Sequence, residues 1–384
     1  MPDRFALRLS LFYGAFFVYA GISVPFMPVW LAAKGLDSRE IGVVLAVPLV
    51  VRLLVVPPST RLADRFAVLR NAIIAASIAS VAGFIVIGLS AGFPGILAAF
   101  ALGAVALAPV LPLTDAYALR GLQGRRHSYG SVRLWGSVTF IAATLAGGVL
   151  LDVFGARNVI WAVVATLVLM AAIALGLDRL SPEPAEPADA SKAGTSLWRS
   201  PAFIVVVLGA SLIQASHAVV MGFGTLQWSA KGIEGPVIGA LIAVGVLAEI
   251  ALFAVSGRAV AALGAVGMIV LGGLGGVVRW IGMIFDPPAA ALAVLQCLHA
   301  FSFGATHLGT MHFLSQTAPA GRAATAQGDC AAAQGIVFAA AMGLSGVLVA
   351  ALGNLAYAVM AALAAAGAII VGLVLRFART RSAT

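Results

Sequence analysis

The 384 residues are 62% hydrophobic and 10% charged, whereas a soluble chain carries roughly 25% charged residues. That composition cannot cover a water-facing surface, so it excludes a string of soluble domains and describes a chain solvated mostly by lipid. The net charge of +9 does not point to nucleic acid, because the basic residues sit in alternate connections between apolar stretches.

A hydrocarbon core of about 30 Å takes about 20 apolar residues per spanning helix. Stretches of that kind occur, in chain order, at residues 10–33, 39–58, 70–90, 94–118, 131–151 and 158–177, and then at 201–228, 236–257, 265–285, 289–314, 323–350 and 354–376. The first is too long for a signal-peptide core and has no small-residue cleavage pattern, so it reads as a helix. Between the sixth and seventh lies SPEPAEPADASKAGTS, Ser181 to Ser196, whose prolines and acids read as a flexible linker. The expected organisation is an all-α membrane protein of twelve transmembrane helices: a six-helix bundle at 1–178, a linker at 179–200 and a second six-helix bundle at 201–384.

Topology follows from the cations. With both termini cytoplasmic, sixteen Lys and Arg fall in cytoplasmic segments and four, Lys34, Arg39, Arg157 and Lys231, on the other side. That is the positive-inside bias expected of a bacterial inner membrane protein. Arg52, Arg133 and Arg279 lie inside helices instead. Cys297 and Cys330 also fall in apolar stretches and read as packing residues.

The two halves resemble each other. WLAAKGLDSREIG from Trp30 aligns with WSAKGIEGPVIG from Trp228 after a single-residue gap, and beyond it a constant offset of 197 residues pairs Lys34 with Lys231, Gly42 with Gly239 and Arg61 with Arg258. Repeated six-helix halves are the arrangement of secondary transporters that rock around a midplane site.

Charges inside the membrane are costly, about 2.5–3.5 kcal/mol each on insertion scales, and each is a functional candidate. Asp115 and Arg133 both lie nine residues from Gly124, in the turn between the fourth and fifth stretches, which puts them at similar depth. Glu249 and Arg279 each lie fifteen residues from Gly264, and Arg279 and His299 each ten from Ala289. A static ion pair between Asp115 and Arg133, and a packing network of Glu249, Arg279 and His299, are the structural alternatives. Arg52 has the alternative of pairing with a structural acid. His217, His307 and His312 read as packing or hydrogen-bonding residues, Phe16, Phe17 and Tyr19 as packing residues, and the glycines of LGGLGG, Leu271 to Gly276, as a surface for close helix approach.

YGSVRLWGSVTF, Tyr129 to Phe140, and LQCLHAFSFGATHLGTMHF, Leu295 to Phe313, resemble the phenylpropionate-permease-like branch of the major facilitator superfamily, related to the lactose-permease type of proton symporters. STRLADRF is similar to that superfamily's G-x-L-A-D-R motif, matching at Asp64 and Arg65, with Thr60 in place of its glycine. The resemblance implies that Asp115 and Arg133 bind substrate, that Glu249, Arg279 and His299 couple protons, and that Asp64 and Arg65 form the conformational motif. Ser302 stands where the lactose type carries its proton-bearing Glu one turn after the His, which leaves the proton to Glu249, Asp115 or His299.

The expected function is proton-coupled symport of a small organic solute, an aromatic carboxylate or a sugar, by alternating access. Proton-antiport efflux of drugs or metabolites is the second transport reading, and a non-transporting sensor the third. No enzyme, cofactor or metal site is expected, since no His/Cys/Asp/Glu cluster has metal spacing and no Ser-His-Asp set can be placed. The expected partners are substrate, protons and the lipid bilayer, with a monomer sufficient. Asp329 could cancel the excess positive charge that Arg52, Arg133 and Arg279 leave over Asp115 and Glu249.

Overall fold

The computed structural model describes residues 4–66, 68–123, 125, 127–180, 197–319 and 323–381. Among the described residues the regular structure is helical. The helices α1 (Arg4–Ala33), α2 (Ser38–Arg65), α3 (Leu69–Leu89), α4 (Gly92–Leu107), α5 (Val110–Gly121), α6 (Tyr129–Phe154) and α7 (Val159–Leu175) precede the linker. After it come α8 (Pro201–Ala215), α9 (Ala218–Ala230), α10 (Gly235–Ala254), α11 (Ser256–Ile284), α12 (Ala289–Cys297), α13 (Thr306–Thr317), α14 (Ala323–Leu352) and α15 (Ala356–Arg381). Residues 181–196, most of the expected linker, lie outside the described residues.

Eleven described segments are long and apolar enough to cross a bilayer. The last, Thr325–Leu373, has 49 residues, about twice the ~20 that one crossing takes. It is broken at Gly353, whose φ of 55° is left-handed, so α14 and α15 are separate crossings.

Three stretches expected as single helices are interrupted. Residues 94–118 break at Ala108 and Pro109, since a proline ring removes a backbone donor and clashes with the turn before it. Residues 201–228 break at Ser216 and His217. Residues 289–314 pass through a π-helical turn at Ala300–Ala305 between α12 and α13, and such widened turns favour functional positions. Backbone irregularity at membrane depth persists only where protein groups satisfy the freed donors and acceptors. Two of these three breaks carry polar residues of the site.

By its internal contacts the chain forms two units, one of residues 1–189 with Thr225–Ala240, the other of 190–224 with 241–384. In the first, α1 packs along α6 and α7. The approach to α6 is close because α1 offers glycine there: a Cβ on Gly21 would lie 2.6 Å from the Phe140 carbonyl oxygen. Thr144 and Thr139 on α6 donate to the Gly21 and Gly14 carbonyls at 3.1 and 3.0 Å, the small-residue and hydroxyl packing that replaces hydrophobic driving force in lipid. Cations close the helix ends: Lys34 donates to the Gly88 and Ser90 carbonyls at 3.0 and 2.9 Å, and Arg70 to the Leu177 and Leu175 carbonyls at 2.6 and 3.0 Å, satisfying acceptors the helices leave open. The Thr225–Ala240 segment lies against α6, where the Gly235 amide donates to both carboxylate oxygens of Asp152 at 3.1 and 3.0 Å.

In the second unit α11 packs on α13 and α15, and α8 on α14 and α15. The LGGLGG glycines bring α11 close to its neighbours: a Cβ on Gly275 would lie 2.6 Å from Phe301 Cβ of the π-helical turn, and one on Gly273 2.6 Å from Ala368 Cβ of α15. Cys297 is exposed and Cys330 buried, both free.

Candidate functional site

Two polar clusters interrupt the apolar interior, one in each unit. In the first unit Asp115 projects from α5 and accepts two phenolic hydrogen bonds on Oδ1, from Tyr13 of α1 at 2.6 Å and from Tyr129 of α6 at 3.0 Å. The two phenol rings meet edge to face at 6.3 Å. Arg133 lies one helical turn beyond Tyr129 on α6, with its guanidinium over the ring of Phe17 at 4.1 Å and that of Tyr13 at 5.6 Å. Cation and ring face attract when stacked in this way. Gly136 leaves the room, since a Cβ there would lie 2.6 Å from Phe17 Cδ2 and 2.9 Å from Arg133 Nη1.

The direct Asp115–Arg133 ion pair does not form among the described residues. The depth arithmetic holds, because both groups meet Tyr13, but the phenol stands between them. Among the described residues the forked N–H donors of Arg133 have no hydrogen-bond acceptor. Phe17, expected as packing, is the platform for that cation; Tyr19 does pack, edge-on to Phe84 at 5.6 Å. A cavity of 610 Å³ on α1, α6 and α7, lined by residues such as Leu11, Trp135 and Ile173, contains neither Asp115 nor Arg133.

The second cluster gathers Glu249 from α10, Arg279 from α11, His299 and Ser302 from the π-helical segment and its start, Gln296 from α12, and His217 from the break between α8 and α9. Arg279 is 3% exposed and lies over the Trp280 ring at 4.6 Å. Its Nη1 donates to His299 Nδ1 at 3.0 Å and to Ser302 Oγ at 3.2 Å, and its Nη2 donates to Gln296 Oε1. Its Nε–H is buried without an acceptor. His299 Nε2 faces Glu249 Oε2 at 3.6 Å, within ion-pair range and just beyond hydrogen-bond length. His217, fully buried, reaches Ser302 Oγ with Nε2 at 3.1 Å and the Gln214 carbonyl with Nδ1 at 3.1 Å.

The chemistry of the partners fixes the hydrogen positions. A guanidinium only donates and a carbonyl only accepts. His299 therefore accepts at Nδ1 and carries its hydrogen on Nε2, toward Glu249. His217 carries its hydrogen on Nδ1 and accepts at Nε2 from the Ser302 hydroxyl. Two arms run outward from Arg279 Nη1: one through His299 to a carboxylate, the other through Ser302 and His217 to a backbone carbonyl.

Sequence reasoning grouped Glu249, Arg279 and His299, and the structure brings them together. It reads His217 as a packing or hydrogen-bonding residue, and His217 makes two hydrogen bonds; it reads Ser302 as a lost acid, and Ser302 is a link in the network. The signal available was the polar run Gln214, Ser216, His217 inside an apolar stretch; Ser216 accepts from Trp280 Nε1 at 2.9 Å. His307 stacks on Phe303, with ring centres 6.4 Å apart, and His312 contacts Gln316 at 3.1 Å, outside the network. Arg52 is exposed and pairs with no acid among the described residues; Asp329 is half-buried. Arg65 is exposed, its guanidinium 5.8 Å from the Phe66 ring centre, and the Asp64 side chain lies outside the described residues. Among the described residues there is no group of three His, Cys, Asp or Glu placed to hold a metal ion.

A family model described as the MFS_1 like family matches residues 6–365. The chain is 31% identical over 323 residues to a probable 3-phenylpropionic acid transporter of Escherichia coli (strain K12), covering 80% of this chain and 81% of that one. It is 25% identical over 315 residues to a maltose permease of Geobacillus stearothermophilus, covering 80% and 78%. Among solved structures, the nucleoside transporter NupG superposes with a TM-score of 0.82 at 13% identity over 97% of this chain and 99% of that one. A bacterial homolog of the human lysosomal transporter Spinster superposes with a TM-score of 0.77 at 15% identity over 97% and 96%. The fold is thus the major facilitator fold, twelve transmembrane helices in two six-helix bundles.

Proposed function

The chain belongs to the MFS_1 like family and is an integral membrane transporter, not an enzyme; from that premise we propose that it is a secondary transporter that carries a small organic anion in symport with protons by alternating access. The observation that carries this reading is Arg133, a guanidinium over the Phe17 ring whose N–H donors meet no acceptor among the described residues. A planar carboxylate matches that fork in two parallel hydrogen bonds, and the adjoining rings of Phe17, Tyr13 and Tyr129 suit an apolar or aromatic body. The name of the Escherichia coli relative, a probable 3-phenylpropionic acid transporter, supports an aromatic carboxylate over the sugar that the maltose permease would suggest.

Asp115 then orients Tyr13 and Tyr129 beside the bound solute. Glu249 takes the coupling proton. While Arg279 donates to Nδ1 of His299, that imidazole has no free lone pair to protonate, and His217 can gain a proton on Nε2 only by displacing the Ser302 hydroxyl. Glu249 alone ends an arm on a group with open acceptor sites. A proton from water on one side converts its carboxylate to a carboxylic acid, and release on the other side reverses that. Asp64 and Arg65 are assigned to the conformational motif. The proposed organisation is 1–178 and 201–384 as bundles joined by 179–200, in a bacterial inner membrane with both termini cytoplasmic.

The test is uptake by proteoliposomes under an imposed pH gradient, with 3-phenylpropionate and maltose as alternative solutes. Saturable accumulation of 3-phenylpropionate, collapsed by a protonophore, is the expected result. Accumulation of maltose alone sinks the anion reading, and accumulation driven only by the opposite gradient turns symport into antiport.

A further inference from the structure

Arg279 does not touch Glu249, although the two are opposite charges in one buried cluster. Among the described residues Glu249 has His299 as its charged-group neighbour, and the histidine ring stands between the acid and the guanidinium. Something must hold the cation on the far side of that ring, since an unscreened carboxylate is the strongest acceptor in reach. The Gln296 amide oxygen and the Ser302 hydroxyl supply acceptors there. Ser302 gives its own proton to Nε2 of His217, and that bond turns the lone pairs of its hydroxyl toward Arg279.

We propose that His217, acting through Ser302, is a positioning residue for proton coupling: it holds Arg279 away from Glu249 so that the acid can take up its proton. The inference rests on the reading of Glu249 as the proton site. His217 is poised for the task by the helix break it occupies. The break exposes the Gln214 carbonyl to its Nδ1–H, which leaves the lone pair on Nε2 aimed at Ser302. Its ring is wedged edge-on against Trp280 at 5.1 Å, His299 at 5.6 Å and Phe303 at 6.0 Å, so it cannot turn away. The titratable and charged groups facing His217 are Arg279 from α11 and His299 at the π-helical segment, and Tyr357 of α15 stacks behind Trp280. Glu249 faces His299, with Gly304, Leu252 and Phe253 packed around that contact.

Removing the Nε2 acceptor frees the Ser302 hydroxyl to turn its lone pairs elsewhere and leaves Arg279 short of an acceptor. One of its N–H groups is already without a partner, and each further buried donor left unpaired is costly. Arg279 then turns to Glu249, and a guanidinium against a carboxylate favours the ionised acid, so that protonation needs a lower pH.

The experiment needs no transported solute. The protein is reconstituted in lipid, and the infrared carbonyl stretch of the protonated carboxyl, assigned to Glu249 by its loss in Glu249→Gln, is titrated with pH. His217→Leu should move the midpoint about one unit to lower pH, the small end of what a new ion pair does to a carboxylate. Ser302→Ala cuts the same arm by removing only a hydroxyl and should shift it likewise, which keeps the test open if His217→Leu does not fold. His217→Gln, whose amide oxygen falls near Nε2, should hold the wild-type midpoint. Wild-type titration in both His217→Leu and Ser302→Ala overturns the proposal while leaving Glu249 as the proton site. Absence of any band that Glu249→Gln removes overturns that reading of Glu249 and this inference with it.

Discussion

Each unit places an arginine near an acid and slides an aromatic ring between them, yet the two rings do opposite things. In the first unit Tyr13 gives its hydroxyl to Asp115 and only its π face to Arg133. In the second, His299 faces Glu249 with one nitrogen and takes a hydrogen bond from Arg279 with the other. A phenol has one hydrogen to give and Tyr13 gives it to the acid, whereas a neutral imidazole has a donor and an acceptor and His299 turns one toward each neighbour. Over the ring faces Arg133 has no oxygen or nitrogen acceptor among the described residues, while Arg279 has committed three of its N–H groups to His299, Ser302 and Gln296. Acid, ring and arginine thus leave a stacked cation in one unit and a hydrogen-bonded network in the other, the contrast on which the proposed docking point and relay rest.

The largest effect should come from ending the relay at its acid. Glu249→Gln is expected to abolish accumulation against a gradient and to leave exchange of internal for external solute, because exchange needs the binding site and the rocking motion but no net proton release. Normal accumulation by that variant would remove Glu249 from the coupling role. The companion change in the first unit, Arg133→Lys, keeps the charge but loses the planar fork. It should weaken solute binding by about tenfold or more, roughly the 1.4 kcal/mol of one lost charge-assisted bond, with thermal stability unchanged. An unchanged affinity, measured by calorimetry on the purified protein, would mean that Arg133 only braces the helices.

A smaller and differently placed effect is expected from Gln296→Leu. It strands a buried guanidinium N–H, and the cost is about 1–3 kcal/mol of stability, read as a lower unfolding midpoint in detergent, with solute affinity unchanged. Smallest of all should be Tyr129→Phe, which removes the longer of the two phenolic donors to Asp115 and leaves Tyr13 in place. A loss in affinity of about threefold to tenfold with an unaltered pH dependence is expected. A shifted pH dependence there would blur the division between docking point and relay.

Much of this was legible in the chain before folding. Bilayer thickness makes each spanning stretch readable by length, the insertion cost makes Asp115, Arg133, Glu249 and Arg279 conspicuous, and counting residues back to a shared turn places opposing charges at one depth. Depth is an axial coordinate, though, and contact also needs the azimuth around each helix. That angle is reset wherever a helix is interrupted: at Pro109 below Asp115, at Ser216 and His217, and through the π-helical turn that carries Ser302. Hence the counting put Asp115 level with Arg133 but could not show Tyr13 and its hydroxyl between them, nor Phe17 under the cation. Composition fixed the solvent, the number of crossings and the residues too costly to be there without a reason. Which acceptor each buried donor meets was decided by packing, because a hydrogen bond is made or missed within a few tenths of an ångström, and only the close approach of α1 to α6 and of α11 to the π-helical turn sets distances that fine.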